Sequence, residues 1–169
     1  AVTVKAQSRS TVAALLWPES DEVRAKATLR RTLAALNNAI GKSWLIADRN
    51  TLTLPPQAGL IIDIHRFGNL LNQCPQEVDL TNCKECLPNL QEAIALYRDD
   101  FLAGFTLSDS TEFDDWQAFY SETYRRMLAG GLDRMMRCYT LQQNYELAIQ
   151  MGRRWLALDL LPAPAHRAH

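Results

Sequence analysis

The sequence has none of the long apolar segments that a membrane protein needs. Across its 169 residues no apolar run approaches the roughly 20 residues of a spanning helix. The first residues show no basic start followed by an apolar stretch, so no secretory signal is predicted. We therefore expect a cytoplasmic protein without a membrane partner.

Motifs of catalysis are also missing. The chain has no P-loop, no glycine pattern for dinucleotides and no zinc-protease motif, and only 3 histidines occur. The adjacent pairs Asp99-Asp100 and Asp114-Asp115 would point about 100° apart on a helix, so neither forms a carboxylate dyad. We therefore predict that the protein is not an enzyme and binds no cofactor.

Cysteine is scarce, with 4 residues at Cys74, Cys83, Cys86 and Cys138. Without a secretory signal, a fold built on disulfides is not expected. Cys83 and Cys86 form a single C-x-x-C, whereas structural zinc sites usually show two such pairs. We predict that this pair packs in the core without a metal. A zinc site completed by Cys74 and His65, or a redox role, stays open as the alternative.

The net charge of -1 conceals an uneven distribution along the chain. Ala1 to Pro56 holds 8 Lys and Arg against 4 Asp and Glu, a net charge of +4, and the remainder holds 10 against 15, a net charge of -5. A basic excess of this size is compatible with phosphate contacts but does not require them.

The basic part reads as two helices followed by a hairpin. A short apolar helix over Ser10–Trp17 ends at Pro18, and a second helix over Asp21–Ile40 begins with an acidic cap and ends at Gly41. The runs WLIA and TLTL flank a turn at 48–50 and predict two short strands. This order is typical of a winged helix. The residues expected to form the core face of the second helix are Leu29, Leu33, Leu36 and Ile40.

The rest of the chain is predicted to be almost entirely helical. Asp63 is expected to cap a short helix, a polar loop with three cysteines follows, and Leu87–Tyr97 forms the next helix. Aromatic and apolar residues between 113 and 139 then predict one long helix, or two helices that meet at Gly130-Gly131, and Tyr145–Leu158 forms the last. The final pair resembles one tetratricopeptide repeat.

Four stretches, in this order, carry a resemblance to a known family: LLWPESDEVRAKATLRRTLAAL, DIHRF, LYRDDFLAGF with FDDW after it, and AIQMGRRWLALD leading into AHR. Together they resemble the bacterial transcriptional activator domain of Streptomyces antibiotic regulatory proteins and their relatives. The resemblance implies an OmpR-like winged helix followed by a tetratricopeptide-like helical domain. It also implies that the chain is a piece of a larger regulator that binds duplex DNA.

The fold class expected is mainly α: a partial winged helix with a small β-hairpin, followed by a tetratricopeptide-like helical bundle. The partial winged helix would occupy residues 1–56, without its N-terminal sheet and first helix, and the helical domain residues 57–169. The second domain would contact a protein, either the transcription machinery or another domain of the parent chain. The competing interpretation is a protein-interaction module that binds no DNA of its own.

The second helix is the expected DNA reader, since its side away from the leucines could enter a major groove. The candidates for base contacts are Arg24, Thr28, Arg31 and Asn38. The candidates for phosphate contacts are Lys26, Arg30 and Arg49. The alternative is an ordinary solvated face, with Glu22 and Lys26 paired at four-residue spacing.

The end of the chain suggests self-association. A terminal repeat normally needs a polar cap. Leu156, Leu160 and Leu161 would instead expose an apolar patch, covered in the parent by a further helix or here by a second copy.

Overall fold

A computed structural model of the protein describes residues 6–41, 44–55, 61–107 and 110–159. Within these ranges the chain is mainly α-helical, with a small antiparallel sheet, so the fold class predicted from the sequence is confirmed. The elements are β1 (Gln7–Ser8), α1 (Arg9–Leu16), α2 (Glu22–Ile40), β2 (Ile46–Ala47), β3 (Thr51–Thr53), α3 (Asp63–Asn72), α4 (Leu80–Leu96), α5 (Thr111–Leu141) and α6 (Tyr145–Asp159).

The chain divides into two compact units. The first unit comprises Ala1–Ile61 and Gly104–Trp116, and the second comprises Ile62–Ala103 and Gln117–His169. The domain boundary predicted after residue 56 lies among residues 56–60, which are outside the described ranges, and it stays a prediction. The first unit also takes in a segment, Gly104–Trp116, that is distant in sequence.

The two helices of the first unit begin and end close to where the sequence predicts. The backbone N–H of Arg24 donates to the Oδ1 atom of Asp21 at 3.0 Å, which caps α2. Gly41 ends α2 with a φ of 94°, a conformation that favours glycine, and its N–H donates to the carbonyl of Asn37. Ser8 caps α1 in the same way.

The core of the first unit is small. Its buried apolar residues are Ala13, Ala25, Leu29, Leu33 and Leu52. Leu36 and Ile40 are 40% and 47% exposed, so the prediction that they belong to this core is wrong. The reason is length: α1 has 8 residues and spans about 12 Å, whereas α2 has 19 and spans about 28 Å. The short helix therefore cannot cover the last turns of α2.

The three strands form one antiparallel sheet in the order β1-β3-β2, with Leu52 opposite both Gln7 and Ala47. The predicted hairpin is confirmed. Its turn is stabilised by Asp48, whose Oδ1 atom accepts hydrogen bonds from the N–H groups of Asn50 and Thr51 at 2.7 Å each. β1 was not expected from the sequence.

The segment Gly104–Trp116 is attached to the first unit by a buried serine. The hydroxyl of Ser110 donates to the carbonyl of Leu15 at 3.0 Å and accepts the N–H of Phe113 at 3.3 Å. The ring of Phe113 packs against Phe105 and Trp116, with centroids 5.6 and 5.5 Å apart. These contacts add aromatic surface to a unit whose own core is small.

In the second unit, α4 begins at Leu80, seven residues before the predicted start. The polar loop expected there is helical because Asp79 and Asn82 form a reciprocal capping box. Asp79 Oδ1 accepts the N–H of Asn82 at 2.9 Å, and Asn82 Oδ1 accepts the N–H of Asp79 at 2.9 Å. Pro88 lies inside the helix. Asp63 begins α3, but within the part of the chain that the structure describes its side chain accepts only the N–H of Ile64 and does not cap the helix.

α5 runs without a break through Gly130-Gly131, so the prediction of one long helix is correct and that of two is not. A methyl group at Gly131 would lie 3.0 Å from the Cδ2 atom of Leu71, which is a tight contact that the leucine would have to relieve by a small shift. On α6, a methyl group at Gly152 would lie 3.4 Å from the sulfur of Met136, close to an ordinary van der Waals contact. The lack of a side chain therefore matters more for packing at Gly131 than at Gly152.

The four cysteines lie in the core of the second unit. Cys83 on α4 and Cys138 on α5 form a disulfide, with their Cα atoms 5.4 Å apart. The sequence analysis expected no fold built on disulfides and did not foresee this single bond, because sequence spacing did not reveal that α4 and α5 bring Cys83 and Cys138 together. Cys74 and Cys86 are buried thiols. Burial, followed by the neighbouring Cys86, raises the pKa of Cys74 to about 11.

The disulfide also bears on the zinc alternative. A sulfur bonded to another sulfur is not the thiolate that zinc requires, so Cys83 is not a ligand in this state. Among the described residues, no three His, Cys, Asp or Glu side chains are grouped as a metal site.

Candidate nucleic-acid interface

A basic groove lies in the first unit between the start of α1, one side of α2 and the tip of the hairpin. The groove has a volume of about 680 Å³. Its polar lining residues are Ser8, Arg9, Ser10, Lys26, Arg30, Arg49 and Asn50. The three residues predicted from the sequence to contact phosphates, Lys26, Arg30 and Arg49, therefore lie together here.

Lys26 and Arg30 lie on the same side of α2 because residues four apart are neighbours on a helix. Lys26 Nζ lies 2.6 Å from Glu22 Oε1, as the sequence predicted, and this contact lowers the pKa of Glu22. Both partners are largely exposed, and exposed pairs of this kind are weak, so a phosphate could replace the carboxylate. Arg30 is exposed and makes no ion pair with the described residues.

Arg9 fixes the tip of the hairpin against the start of α1. Its backbone N–H donates to the carbonyl of Asn50 at 2.8 Å, and its Nη1 atom donates to the carbonyl of Asp48 at 2.9 Å. These bonds hold the exposed Arg49 at the rim of the basic groove. The hydroxyl of Thr51, followed by backbone N–H groups, lowers the pKa of Asp48. The oxygens of that carboxylate accept hydrogen bonds from Asn50 and Thr51 within the turn.

The structure adds Arg9 to the predicted set. Arg9 could not be predicted from the sequence because β1, the element that brings residue 9 beside the hairpin, has only two residues and no local signal. The first turn of α1 lies in the same place, and Ser8 and Ser10 line the groove there. A helix N-terminus carries a partial positive charge and free N–H groups, so it adds to the attraction for an anion.

The residues predicted to contact bases are placed differently. Arg24, Arg31 and Asn38 follow at seven-residue intervals, which return to nearly the same side of a helix, and all three are exposed. They form a row on α2 that faces away from its core residues and does not line the basic groove. Arg24 also pairs with Asp21 at 3.1 Å.

Thr28, the fourth base-contact candidate, is half-buried and lies beside this row. Its hydroxyl accepts a hydrogen bond from Nη2 of Arg31 at 3.3 Å. That contact orients the arginine and leaves the hydroxyl less available to a base.

Asn38 lines a second groove, between the end of α2 and β2, with a volume of about 500 Å³. The other residues there include Asn37 and Ile46. The Oδ1 atom of Asn37 is buried and has no hydrogen-bond partner among the described residues. The Asn37 oxygen, an acceptor without a hydrogen-bond partner among the described residues, therefore lies beside the exposed side-chain amide of Asn38.

Comparisons of the chain with protein-family models, with curated proteins and with solved structures found no match. The resemblance to the bacterial transcriptional activator domain therefore stays a prediction. Within the described ranges, no helix is both long and apolar enough to cross a bilayer.

Proposed function

We propose that the protein is a transcription regulator, not an enzyme, whose first unit binds duplex DNA. The observation that carries the proposal is the basic groove, where cations from three separate elements converge. Arg9 comes from α1, Lys26 and Arg30 from α2, and Arg49 from the hairpin. Convergence of this kind is what a phosphate backbone needs. A cytoplasmic location accompanies this function.

The proposed mode of binding follows from the two faces of α2. The outward row of Arg24, Arg31 and Asn38 would enter the major groove, where arginine reads guanine and asparagine reads adenine. The basic groove beside that row would hold the sugar-phosphate backbone, with Arg49 at the hairpin tip reaching the adjacent backbone or minor groove. The phosphate contacts would supply most of the affinity and the row would supply sequence preference.

The second unit is proposed to bind protein, either transcription machinery, another domain of the parent chain or a second copy. Support comes from α6, where Tyr145, Ile149 and Leu156 are all more than half exposed. Their spacing of four and seven residues puts them in one stripe along the helix. Leu160 and Leu161, predicted to form an apolar patch with Leu156, lie outside the described residues.

A second candidate is a protein-interaction module that binds no DNA. It is favoured by Val23, which is 78% exposed and lies in the basic groove, and by the exposed Leu36 and Ile40 on the same helix. An apolar side chain beside cations suits an acidic, partly apolar protein segment better than a phosphate.

Salt dependence separates the two candidates. Binding of the chain to a duplex of random sequence would be followed by fluorescence anisotropy from about 50 to 200 mM salt, because each phosphate contact contributes nearly one unit to the slope of log K against log salt. The double variant Arg30→Ala, Arg49→Ala should reduce that slope by about two.

The matched control is Arg126→Ala, which removes one exposed arginine of the second unit that is paired with Glu122 at 2.8 Å. It should leave the slope unchanged. Absence of salt-dependent binding, or an equal loss in the control, would reject the DNA-binding proposal and favour the interaction module.

A further inference from the structure

A smaller cavity of about 170 Å³ lies in the second unit, between the start of α3, the end of α4, the turn that follows it and α5. We call it the aromatic cavity. Its lining includes four aromatic residues, Phe67, Tyr97, Phe101 and Tyr124, and two exposed carboxylates, Asp63 and Asp99. This combination differs from the plain apolar lining of a packing defect.

The four rings form a continuous cluster. Ring centroids are 6.0 Å apart for Phe67 and Tyr97, 6.5 Å for Phe67 and Tyr124, and 5.4 Å for Phe101 and Tyr124. The interplanar angles run from 52° to 75°, so the rings are tilted and do not form a parallel stack. The faces of aromatic rings carry negative potential, so aromatic residues that line a cavity can attract a cation.

The two carboxylates are not neutralised within the described residues. Asp63 accepts the N–H of Ile64 at 2.7 Å and Asp99 accepts the N–H of Asp100 at 2.8 Å, and neither has a Lys or Arg within ion-pair distance. Arg98 lines an adjoining depression together with all three carboxylates, Asp63, Asp99 and Asp100, and makes no ion pair with Asp63 or Asp99. With Arg125 paired to Asp100, the carboxylates here outnumber the guanidinium groups by three to two, so the net charge is negative.

The third carboxylate at the cavity, Asp100, has a different role. Arg125 donates through both Nε and Nη2 to its two oxygens, and the hydroxyl of Tyr97 donates to Oδ1 at 2.9 Å. These bonds lower the pKa of Asp100, with Arg125 the largest cause. They use its lone pairs to position Tyr97 and the turn, so its charge is not available to a ligand.

The turn that closes the cavity is held in a strained shape. Leu102 has a φ of 54°, which a leucine adopts at a steric cost. The side-chain amide of Gln117 donates to the carbonyls of Leu102 at 2.8 Å and Phe101 at 3.1 Å, which keeps the turn in place. These hydrogen bonds fix the shape of the turn that lines the cavity.

We infer that the aromatic cavity binds a compact organic cation, an alkylated ammonium group. Aromatic faces with carboxylates at the mouth attract such a group, and the same charges repel an anion. A metal ion would need more oxygen ligands than Asp63 and Asp99 supply. The volume is below the roughly 300 Å³ of drug-sized pockets, so only a headgroup fits. The inference concerns the second unit alone and does not depend on DNA binding.

The test compares choline with its neutral isostere, 3,3-dimethylbutan-1-ol, by isothermal titration and by amide shifts in NMR spectra. Choline should bind at least about tenfold more tightly, because only the cation gains from the ring faces and the carboxylates. The shifts should be largest at residues 97–102. Equal affinity of the two probes would mean a merely apolar cavity, and absence of choline binding would also overturn the inference.

Variants identify the groups responsible. Asp99→Asn should weaken choline binding several-fold and leave the isostere unaffected, whereas Phe101→Leu should weaken choline further. Glu85→Gln is the matched control, since it removes an exposed carboxylate of α4 that does not line the cavity. Thermal melting of each variant establishes that it is folded. An equal effect of Asp99→Asn and Glu85→Gln on choline would contradict the role of the cavity.

A further pair of probes distinguishes the source of the cation. A short peptide with one trimethyllysine represents a protein side chain, and choline represents a free molecule. Tighter binding of the peptide assigns the cavity to a protein partner, and tighter binding of choline assigns it to a small molecule. Binding of neither probe rejects the cation site.

Discussion

The guanidinium of Arg134, on α5, donates a hydrogen bond to the carbonyl oxygen of Leu71, near the end of α3, at 2.9 Å. The same Nη1 atom donates to the carbonyl of Cys74 at 2.9 Å, and Nε donates to the carbonyl of Gly130 at 3.1 Å. Arg134 is only 4% exposed. A buried charge is thus satisfied by backbone carbonyls, one of them, that of Leu71, at the negative end of α3.

Replacement of Arg134 by methionine should therefore destabilise the protein by about 2 to 4 kcal/mol, because buried carbonyls lose their donors. Urea unfolding would measure the change. The matched variant is Arg126→Met, which removes an exposed arginine from the same helix and should cost less than about 0.5 kcal/mol. Equal losses would show that the hydrogen bonds of Arg134 are unimportant.

The disulfide between Cys83 and Cys138 predicts sensitivity to reductant. It closes a loop of 55 residues, so its loss should cost up to about 4 kcal/mol through the entropy of the unfolded chain. Urea unfolding with and without dithiothreitol would measure the loss, and a thiol assay on unfolded, unreduced protein should count Cys74 and Cys86 alone. In the double variant Cys83→Ser, Cys138→Ser, dithiothreitol should not change the free energy of unfolding. Four titratable thiols before reduction would contradict the disulfide.

Asp100 and Arg125 predict a dependence of stability on pH. Because the pKa of Asp100 is lowered in the folded state, its contribution is fully present above the unfolded value of about 4 and is lost as the pH falls through the lower folded value. Urea midpoints measured from about pH 7 to about pH 3 should fall more steeply for the wild type than for Asp100→Asn. Glu85→Gln, with the same change of charge outside this contact, should follow the wild type.

How much of this architecture the sequence predicts depends on whether the signal is local. The cap of α2 at Asp21, its end at Gly41 and the turn at Asp48 each involve residues within a few positions, and all three were located correctly. The start of α4 is also local. It was missed because the capping box has Asn82 at its third helical position, where asparagine is a weaker signal than glutamate.

The features that the sequence could not predict join distant residues. β1 forms only through its pairing with Leu52 and Thr51, and Arg9 reaches the basic groove through that pairing. The same is true of the disulfide and of the aromatic cavity, where Phe67 and Tyr124 come from different helices. The candidate phosphate residues, in contrast, could be named because helical spacing and the hairpin tip are local properties.

Arg31 and Arg30 should affect DNA binding in different ways. In a complex with the cognate site, Arg31→Ala should cost about 1 to 3 kcal/mol and leave non-specific binding nearly unchanged, because a base contact carries sequence preference. Arg30→Ala should weaken binding to all sequences and reduce the salt slope by about one. Anisotropy titrations with cognate and random duplexes measure both. Identical behaviour of the two variants would remove the distinction between the outward row of α2 and the basic groove.

The exposed stripe of α6 predicts self-association of the chain. Tyr145, Ile149 and Leu156 lie on one side of the helix, and apolar side chains exposed in a row are the usual core of a helix-to-helix interface. Sedimentation velocity across concentration should show association that Ile149→Glu weakens by at least about tenfold, because a buried charge would face an apolar partner. Val23→Glu is the matched control, since it places the same charge at an exposed apolar position of the first unit. Association that survives in Ile149→Glu and is lost in Val23→Glu would move the interface from α6 to α2, and a monomeric wild type would reject the prediction.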